Sequence, residues 1–191
     1  MNKTLLIAVL CGLASAVVAA ESPTLQLVES RKIWSQAPHN AFTDLIRFQD
    51  RWHCVFREGK GHVSPDGSLR VITSADGKDW QSAALITSPT SDLRDAKITV
   101  TPDGKLMLAG AEAINKPTTH RHQSLVWFSA DGRTWSQRHE VGTPDNWLWR
   151  ITWHKGKAYG FGYGTKNNSG LTLFCSDDGK TFKALIEKVD V

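Results

Sequence analysis

Downstream of residue 40 the chain alternates short apolar runs with tight polar breaks, and the runs come in pairs. The first pair is Thr43 to Phe48 and Trp52 to Arg57, split at Gln49-Asp50-Arg51. The second is Ala96 to Thr101 and Lys105 to Ala111, split at Pro102-Asp103-Gly104, and the third is Leu148 to Trp153 and Lys157 to Tyr163, split at His154-Lys155-Gly156. Short apolar runs bounded by turn-forming residues predict β-hairpins. No stripe at helical spacing occurs in the chain after its first residues, so the class is all-β.

Each hairpin is followed by a loop, a third apolar run (Leu69 to Thr73, Ser124 to Phe128, Leu171 to Cys175) and a turn of constant design. The turns are Ser74-Ala75-Asp76-Gly77-Lys78-Asp79-Trp80, Ser129-Ala130-Asp131-Gly132-Arg133-Thr134-Trp135 and Ser176-Asp177-Asp178-Gly179-Lys180-Thr181-Phe182. All read Ser-x-Asp-Gly-x-x-aromatic. An Asp carboxylate in such a turn accepts backbone N–H groups, the Gly takes a positive φ without steric cost, and the Ser hydroxyl closes the turn. The aromatic then tucks back onto the unit's own strands. A fourth strand follows each turn, giving a four-stranded antiparallel meander of about 50 residues, the blade of a β-propeller. The blades are expected at about 41–88, 94–142 and 146–190. A β-sandwich with three similar turns by accident is the competing architecture, and the matching hairpins ahead of every turn argue against it.

These turns resemble the Asp boxes, or BNR repeats, of the sialidase (neuraminidase) superfamily. The commonest form, Ser-x-Asp-x-Gly-x-Thr-Trp, is one residue longer than each copy here. Thr134-Trp135 keeps the ending, whereas Asp79 replaces the Thr in the first copy and Phe182 the Trp in the third. The resemblance covers about Thr24 to Val191 and implies a partial six-bladed propeller, its N-terminal half. Blades at the two ends of such a half-ring leave faces and edges that further C-terminal blades or self-association must cover. The segment Leu25 to Trp34 is expected to be the outer strand that closes the last blade of a full ring.

In such a meander the Asp-box turns and the first-to-second-strand turns share one end, so a site is expected at the other, near the axis. Residues expected there are Asn40, Asp44, Arg57, Glu58, Lys60 and His62 from the first unit, and Arg94, Asp95, Lys97, Glu112, His120 and His122 from the second. The third adds Trp147, Trp149, Arg150, Tyr163 and Asn167. Asp44, Glu58 and Asp95 are the catalytic candidates. Arg57, Arg94, Lys97, Trp149 and Arg150 are the ligand-binding ones, because guanidinium groups grip carboxylates or phosphates in a planar fork and indoles stack on sugar rings. The opposing reading of Arg57-Glu58 and Arg94-Asp95 is structural ion pairing between blades.

What the resemblance implies is an exported, exo-glycosidase-type protein that acts on or binds anionic glycans, a glycoside hydrolase of sialidase type if it is an enzyme. The alternative is a non-catalytic module that binds glycan or protein. A sialidase needs an arginine group, a Tyr activated by a Glu, and an acidic proton donor. The family's Phe-Arg-Ile-Pro segment is missing, Phe56-Arg57-Glu58 is only its nearest text, and the Tyr nucleophile usually comes from later blades. The chain is therefore expected to be incomplete for catalysis.

Charge and cysteine content narrow the picture further. The excess of 23 Lys and Arg over 19 Asp and Glu is spread along the chain, which suits an anionic ligand better than nucleic acid. A Lys ahead of the apolar run Leu5 to Val18, ending in Ala19-Ala20, reads as a signal peptide over residues 1–20, so export to a secreted or periplasmic location is expected, with residues 21–191 as the propeller domain. No later run is long enough to span a membrane. Cys54 and Cys175 are expected as buried thiols, and Cys11 to leave with the signal. His120-x-His122 lacks a third ligand, so no metal or other cofactor is implied.

Overall fold

The computed structural model describes residues 25–166 and 170–189, which leaves the expected signal peptide and Asn167 outside the described residues. Twelve strands form three four-stranded antiparallel sheets, and the described residues contain no helix. The first sheet holds β1 (His39–Phe48), β2 (Arg51–Gly59), β3 (Ser68–Ser74) and β4 (Gln81–Ile86); the second holds β5 (Ser91–Val100), β6 (Leu106–Ile114), β7 (His122–Ser129) and β8 (His139–Val141). The third holds β9 (Asn146–His154), β10 (Lys157–Gly164), β11 (Leu171–Ser176) and β12 (Lys183–Val189). Within each sheet neighbours in sequence are neighbours in space. The sheets stack face to face through their first strands, with β5 against β1, β2 and β3, and β9 against β5, β6 and β7. That is the arrangement of successive propeller blades about an axis lined by β1, β5 and β9.

The stacking follows from strand alternation, which sends every second side chain to each face. Between the first two sheets lie Phe48, Val55, Leu69, Val71, Leu93, Ile98, Leu106, Leu108 and Trp127, all buried. Between the second and third lie Met107, Ala109, Val126, Leu148, Ile151, Ala158 and Phe174. Enclosing each large side chain of this kind stabilises the fold by about 1.5–3 kcal/mol.

The three Ser-x-Asp-Gly turns share one set of hydrogen bonds. Asp76 Oδ1 accepts the N–H groups of Lys78 and Asp79 at 2.8 and 3.0 Å, Asp131 those of Arg133 and Thr134 at 2.8 Å, and Asp178 those of Lys180 and Thr181 at 2.8 and 2.7 Å. The Ser hydroxyl accepts the Gly N–H in each, and Gly77, Gly132 and Gly179 sit at φ of 76°, 71° and 70°. Trp80 packs on Cys54, Phe56 and Ile72, while Trp135 and Phe182 pack into the two inter-sheet cores.

The strands correct the sequence reading in two places. β1 and β5 begin at His39 and Ser91, ahead of Thr43 and Ala96, because a β-bulge interrupts each strand and breaks the alternation on which the reading relied. Residues 25–38 form no strand, and the last blade of a full ring, to which Leu25 to Trp34 was expected to add an outer strand, is not among the described residues. Cys175, expected to be buried, is half-exposed on the free face of the third sheet, whereas Cys54 is enclosed and burial pushes its thiol pKa up to about 11.

Candidate functional site

The bulges build the axial end. In β1 the register slips between Ala41 and Asp44, in β5 between Arg94 and Lys97, and in β9 between Leu148 and Arg150. Phe42 and Asp95, inside the first two bulges, take positive φ of 61° and 55°. The first residue to pair again is Asp44 opposite Val55, Lys97 opposite Ala109, and Arg150 opposite Phe161. Three successive blades therefore present a carboxylate, an ammonium and a guanidinium at one equivalent position on the axial strands.

These side chains interact. Arg150 Nη1 lies 3.1 Å from Asp44 Oδ2, which also accepts the Ile98 N–H at 3.0 Å from the neighbouring blade. Lys97 Nζ donates to the carbonyls of Ala96 and Phe42 at 3.3 and 3.4 Å. Burial lowers the Lys97 pKa; the charges of Asp44 and Asp95 oppose that shift and Arg150 adds to it. Asp95 is only 7% exposed, and burial raises its pKa against the opposing influence of Lys97, Arg94 and the Trp147 indole. Tyr163, whose ring lies 6.1 Å from that of Trp149, has its pKa raised by burial and by the Asp95 charge, so it is held as a neutral phenol. Trp149 itself is 42% exposed and Arg150 keeps an exposed side chain, so both can meet a ligand.

Other predicted residues serve different ends. Arg57, expected to bind ligand, is fully enclosed: its Nε and Nη2 donate to Asp92 Oδ1 at 2.9 and 2.7 Å, and its Nη1 to the Gly61 carbonyl at 2.8 Å. Every direction of the fork is taken, so it fastens the β2–β3 loop to the second blade. Arg94 shares the same carboxylate through Nε to Asp92 Oδ2 at 2.8 Å, and stays partly open. Glu58, a catalytic candidate, points to the opposite face of the first sheet, where it accepts from Trp34 Nε1 at 2.6 Å and Arg70 Nη2 at 2.9 Å. Glu112 is likewise buried against Arg138 at 2.8 Å. His122 stacks near Trp147 at 5.2 Å and shares a hydrogen bond with Thr165 at 2.9 Å. Asn40 bonds the Ala37 carbonyl, His62 lies against His39 and Phe42, and Lys60 and His120 stand on loops. No group of ligating side chains among the described residues is arranged for a metal.

Asp92 was missed in the sequence although it holds two arginines, since nothing distinguishes it from a surface carboxylate until the blades stack. The Asp44, Lys97 and Arg150 equivalence was hidden by the bulges; aligning the three hairpins on their turns would have revealed it. A depression of about 480 Å3 lies at the other end, between the second and third sheets beside Phe128, Trp153 and Asp178. Lys180 lies over the Phe128 ring at 5.3 Å, which closes the aromatic surface a sugar would need.

No protein-family model matches the sequence, and no curated protein matches it. Solved structures do resemble the fold. The alpha-L-arabinanase of Penicillium chrysogenum, complexed with arabinobiose, superposes with a TM-score of 0.62 at 15% identity, over 81% of this chain and 50% of that one. An N-acetylgalactosamine deacetylase from F. plautii, in complex with blood group B trisaccharide, gives 0.63 at 16% identity over 83% and 56%. The exo-inulinase of Aspergillus awamori gives 0.64 at 13% identity over 82% and 38%. The fold is that of propeller blades. At these identities the likeness carries the fold alone, and the chain spans about half the length, or less, of the structures it matches. No helix among the described residues is long and apolar enough to cross a membrane.

Proposed function

We propose that this chain contributes blades to an exported, sialidase-like propeller that engages anionic glycans at its axial end. The observation that carries the reading is the placement of Lys97 and Arg150 at register-equivalent positions of adjacent blades, beside the exposed Trp149. Two cations on rigid strands suit a carboxylate- or sulfate-bearing sugar, and the indole suits its ring face. Asp44 and Asp95 form the carboxyl pair of a glycoside hydrolase reading. Asp44 is charge-paired, whereas Asp95 is in a setting that favours its protonated form, which is the division of labour that acid–base hydrolysis of a glycosidic bond requires.

Non-catalytic binding is the second reading, and one feature favours it over turnover. Asp44 is committed to Arg150 and to the Ile98 N–H, and the third candidate, Glu58, is buried on the far face of its sheet. The deciding experiment titrates the protein and its Arg150→Ala variant with sialylated and sulfated oligosaccharides by calorimetry, alongside fluorogenic sialosides. Binding lost in the variant, with the β-sheet circular dichroism unchanged, supports the site; equal affinity in the two proteins overturns it. Turnover abolished by Asp95→Asn marks an enzyme, and binding without turnover marks a module.

A further inference from the structure

His122 opens β7 at the axial end of the second blade, and the hydrogen bonds around it fix where its ring carries a proton. Its Nδ1 lies 2.9 Å from Thr165 Oγ1, and the same hydroxyl donates to the Asp145 carbonyl at 3.0 Å. A carbonyl can only accept, so the single hydroxyl proton of Thr165 goes to Asp145. The Thr165 oxygen then accepts from His122, and the imidazole is the tautomer with its proton on Nδ1. The Asp145 carboxylate favours the same placement. Its Oδ1, 3.9 Å from Nδ1, also accepts the backbone N–H groups of Arg121 and His122 at 2.8 and 3.1 Å.

Nε2 is left as a lone-pair acceptor. Among the described residues it has no hydrogen-bond partner, and it is not enclosed as the unpaired Nδ1 atoms of His39 and His53 are. The side chain keeps 26% of its surface exposed, and its ring is held against Trp147 at a centroid distance of 5.2 Å. Trp147 pairs in register with Tyr163, whose ring lies 6.1 Å from that of Trp149, so the imidazole and the exposed indole of the glycan site belong to one run of rings from the second blade to the third. Burial lowers the proton affinity of His122, Asp145 opposes that, and the Arg94 and Arg121 guanidinium groups add to it, with a net pKa below the usual histidine value. Two further charged groups stand behind these: Lys166 reaches Asp145 Oδ2 at 3.2 Å, and Asp95 sits beside the Trp147 side chain.

We infer that His122 is a ligand-binding residue of the axial site, its Nε2 accepting a hydrogen bond from a sugar hydroxyl. The inference rests on the glycan reading above and adds a requirement to it: beside its anionic group the ligand carries a hydroxyl that donates to this nitrogen. A deoxy analogue leaves the acceptor unpaired, which is how a site built around a polar group discriminates between sugars. Protonation turns the acceptor into a donor, so recognition weakens as pH falls through the histidine pKa. Thr165 and Asp145 are positioning residues, which hold the ring's orientation and tautomer.

The test is calorimetric titration of the full chain and its His122→Asn, His122→Gln and Arg150→Ala variants with the sialylated and sulfated oligosaccharides between about pH 5 and pH 8, with circular dichroism as a check on folding. Asparagine keeps a donor for Thr165 and has no atom at the Nε2 position, whereas the glutamine carbonyl reaches it. At the alkaline end His122→Asn is expected to bind about three- to tenfold more weakly, the worth of one neutral hydrogen bond, and to lose most of the fall in affinity that acid causes in the parent protein. His122→Gln should recover part of the affinity without the pH dependence. Affinity lost in Arg150→Ala but unchanged in His122→Asn, or a pH dependence that persists in His122→Asn, overturns the role of His122 and leaves the cationic site standing. Affinity unchanged in both, or no binding by the parent protein, overturns the site and the inference with it. Nitrogen NMR spectra of the parent protein check the tautomer without a ligand: a protonated Nδ1 and a bare Nε2 are expected at neutral pH, and the reverse tautomer overturns the inference.

Discussion

Arg150 of β9 and Asp44 of β1 meet at 3.1 Å although a whole blade separates their strands in sequence. The pair ties the first blade to the third at the axis and leaves the guanidinium side chain 55% exposed. Exposed ion pairs of this type contribute about 0–1 kcal/mol to stability. Arg150→Ala is therefore expected to leave the denaturation midpoint nearly unchanged while weakening the capture of an anionic ligand. A large loss of stability in urea titration would show that the arginine is a strut and not a ligand group.

The opposite balance is expected for Arg57. Its guanidinium is enclosed and bound to Asp92, whose second oxygen holds Arg94. Removing one member of a buried pair leaves an uncompensated charge, at a cost of about 3–5 kcal/mol. Arg57→Ala should lower the denaturation midpoint sharply, and Arg94→Ala much less, because Arg94 keeps solvent access. Equal effects of the two would contradict the distinction drawn between them.

That distinction was beyond the sequence, in which Arg57-Glu58 and Arg94-Asp95 are similar dipeptides. The meander, its turns and the three-fold repeat were legible because they rest on local signals: Gly at positive φ, Asp accepting the next N–H groups, and apolar alternation. Asp44, Lys97 and Arg150 were expected at the axial end, but their equivalence across blades went unread, because a bulge in each axial strand shifts the alternation. Glu58 was misplaced for a related reason. Strand parity sends it to the face away from Arg57, so neighbours in sequence serve opposite sides of the blade.

The turn aspartates make acid stability testable. Backbone N–H donors lower the pKa of Asp76 and of Asp131 to about 2, and that of Asp178 also falls. A carboxylate depressed below its unfolded value near ~3.9 contributes stability that is complete above that value and is lost as pH falls toward the folded pKa. Melting temperature should therefore drop between about pH 4 and pH 2, and Asp131→Asn should start lower with a flatter decline. Asp95 acts with the reverse sign. Its raised pKa favours the folded state at low pH, and that contribution fades as pH rises through the folded value. Asp95→Asn should accordingly gain stability relative to the parent protein at neutral pH, and a loss there would mean that its charge is compensated in the fold.

Two glycines at nearly equal φ separate backbone strain from packing. Gly104 at 76° has nothing within 4 Å of where a Cβ would stand, whereas at Gly132, with φ 71°, a Cβ would run into the His53 ring with Leu106 Cδ1 at 3.2 Å behind it. An alanine at either site carries the left-handed penalty of about 1–2 kcal/mol. Only the one at 132 adds overpacking, which costs typically ~1–3 kcal/mol more in a filled core. Gly132→Ala is thus expected to lower stability more than Gly104→Ala, and the excess should shrink when His53→Ala makes room. Because His53 belongs to the first blade and Gly132 to the second, that coupling measures the seat of a turn on the blade before it. Strictly additive effects would mean that the second blade's turn does not rest on the first blade at all.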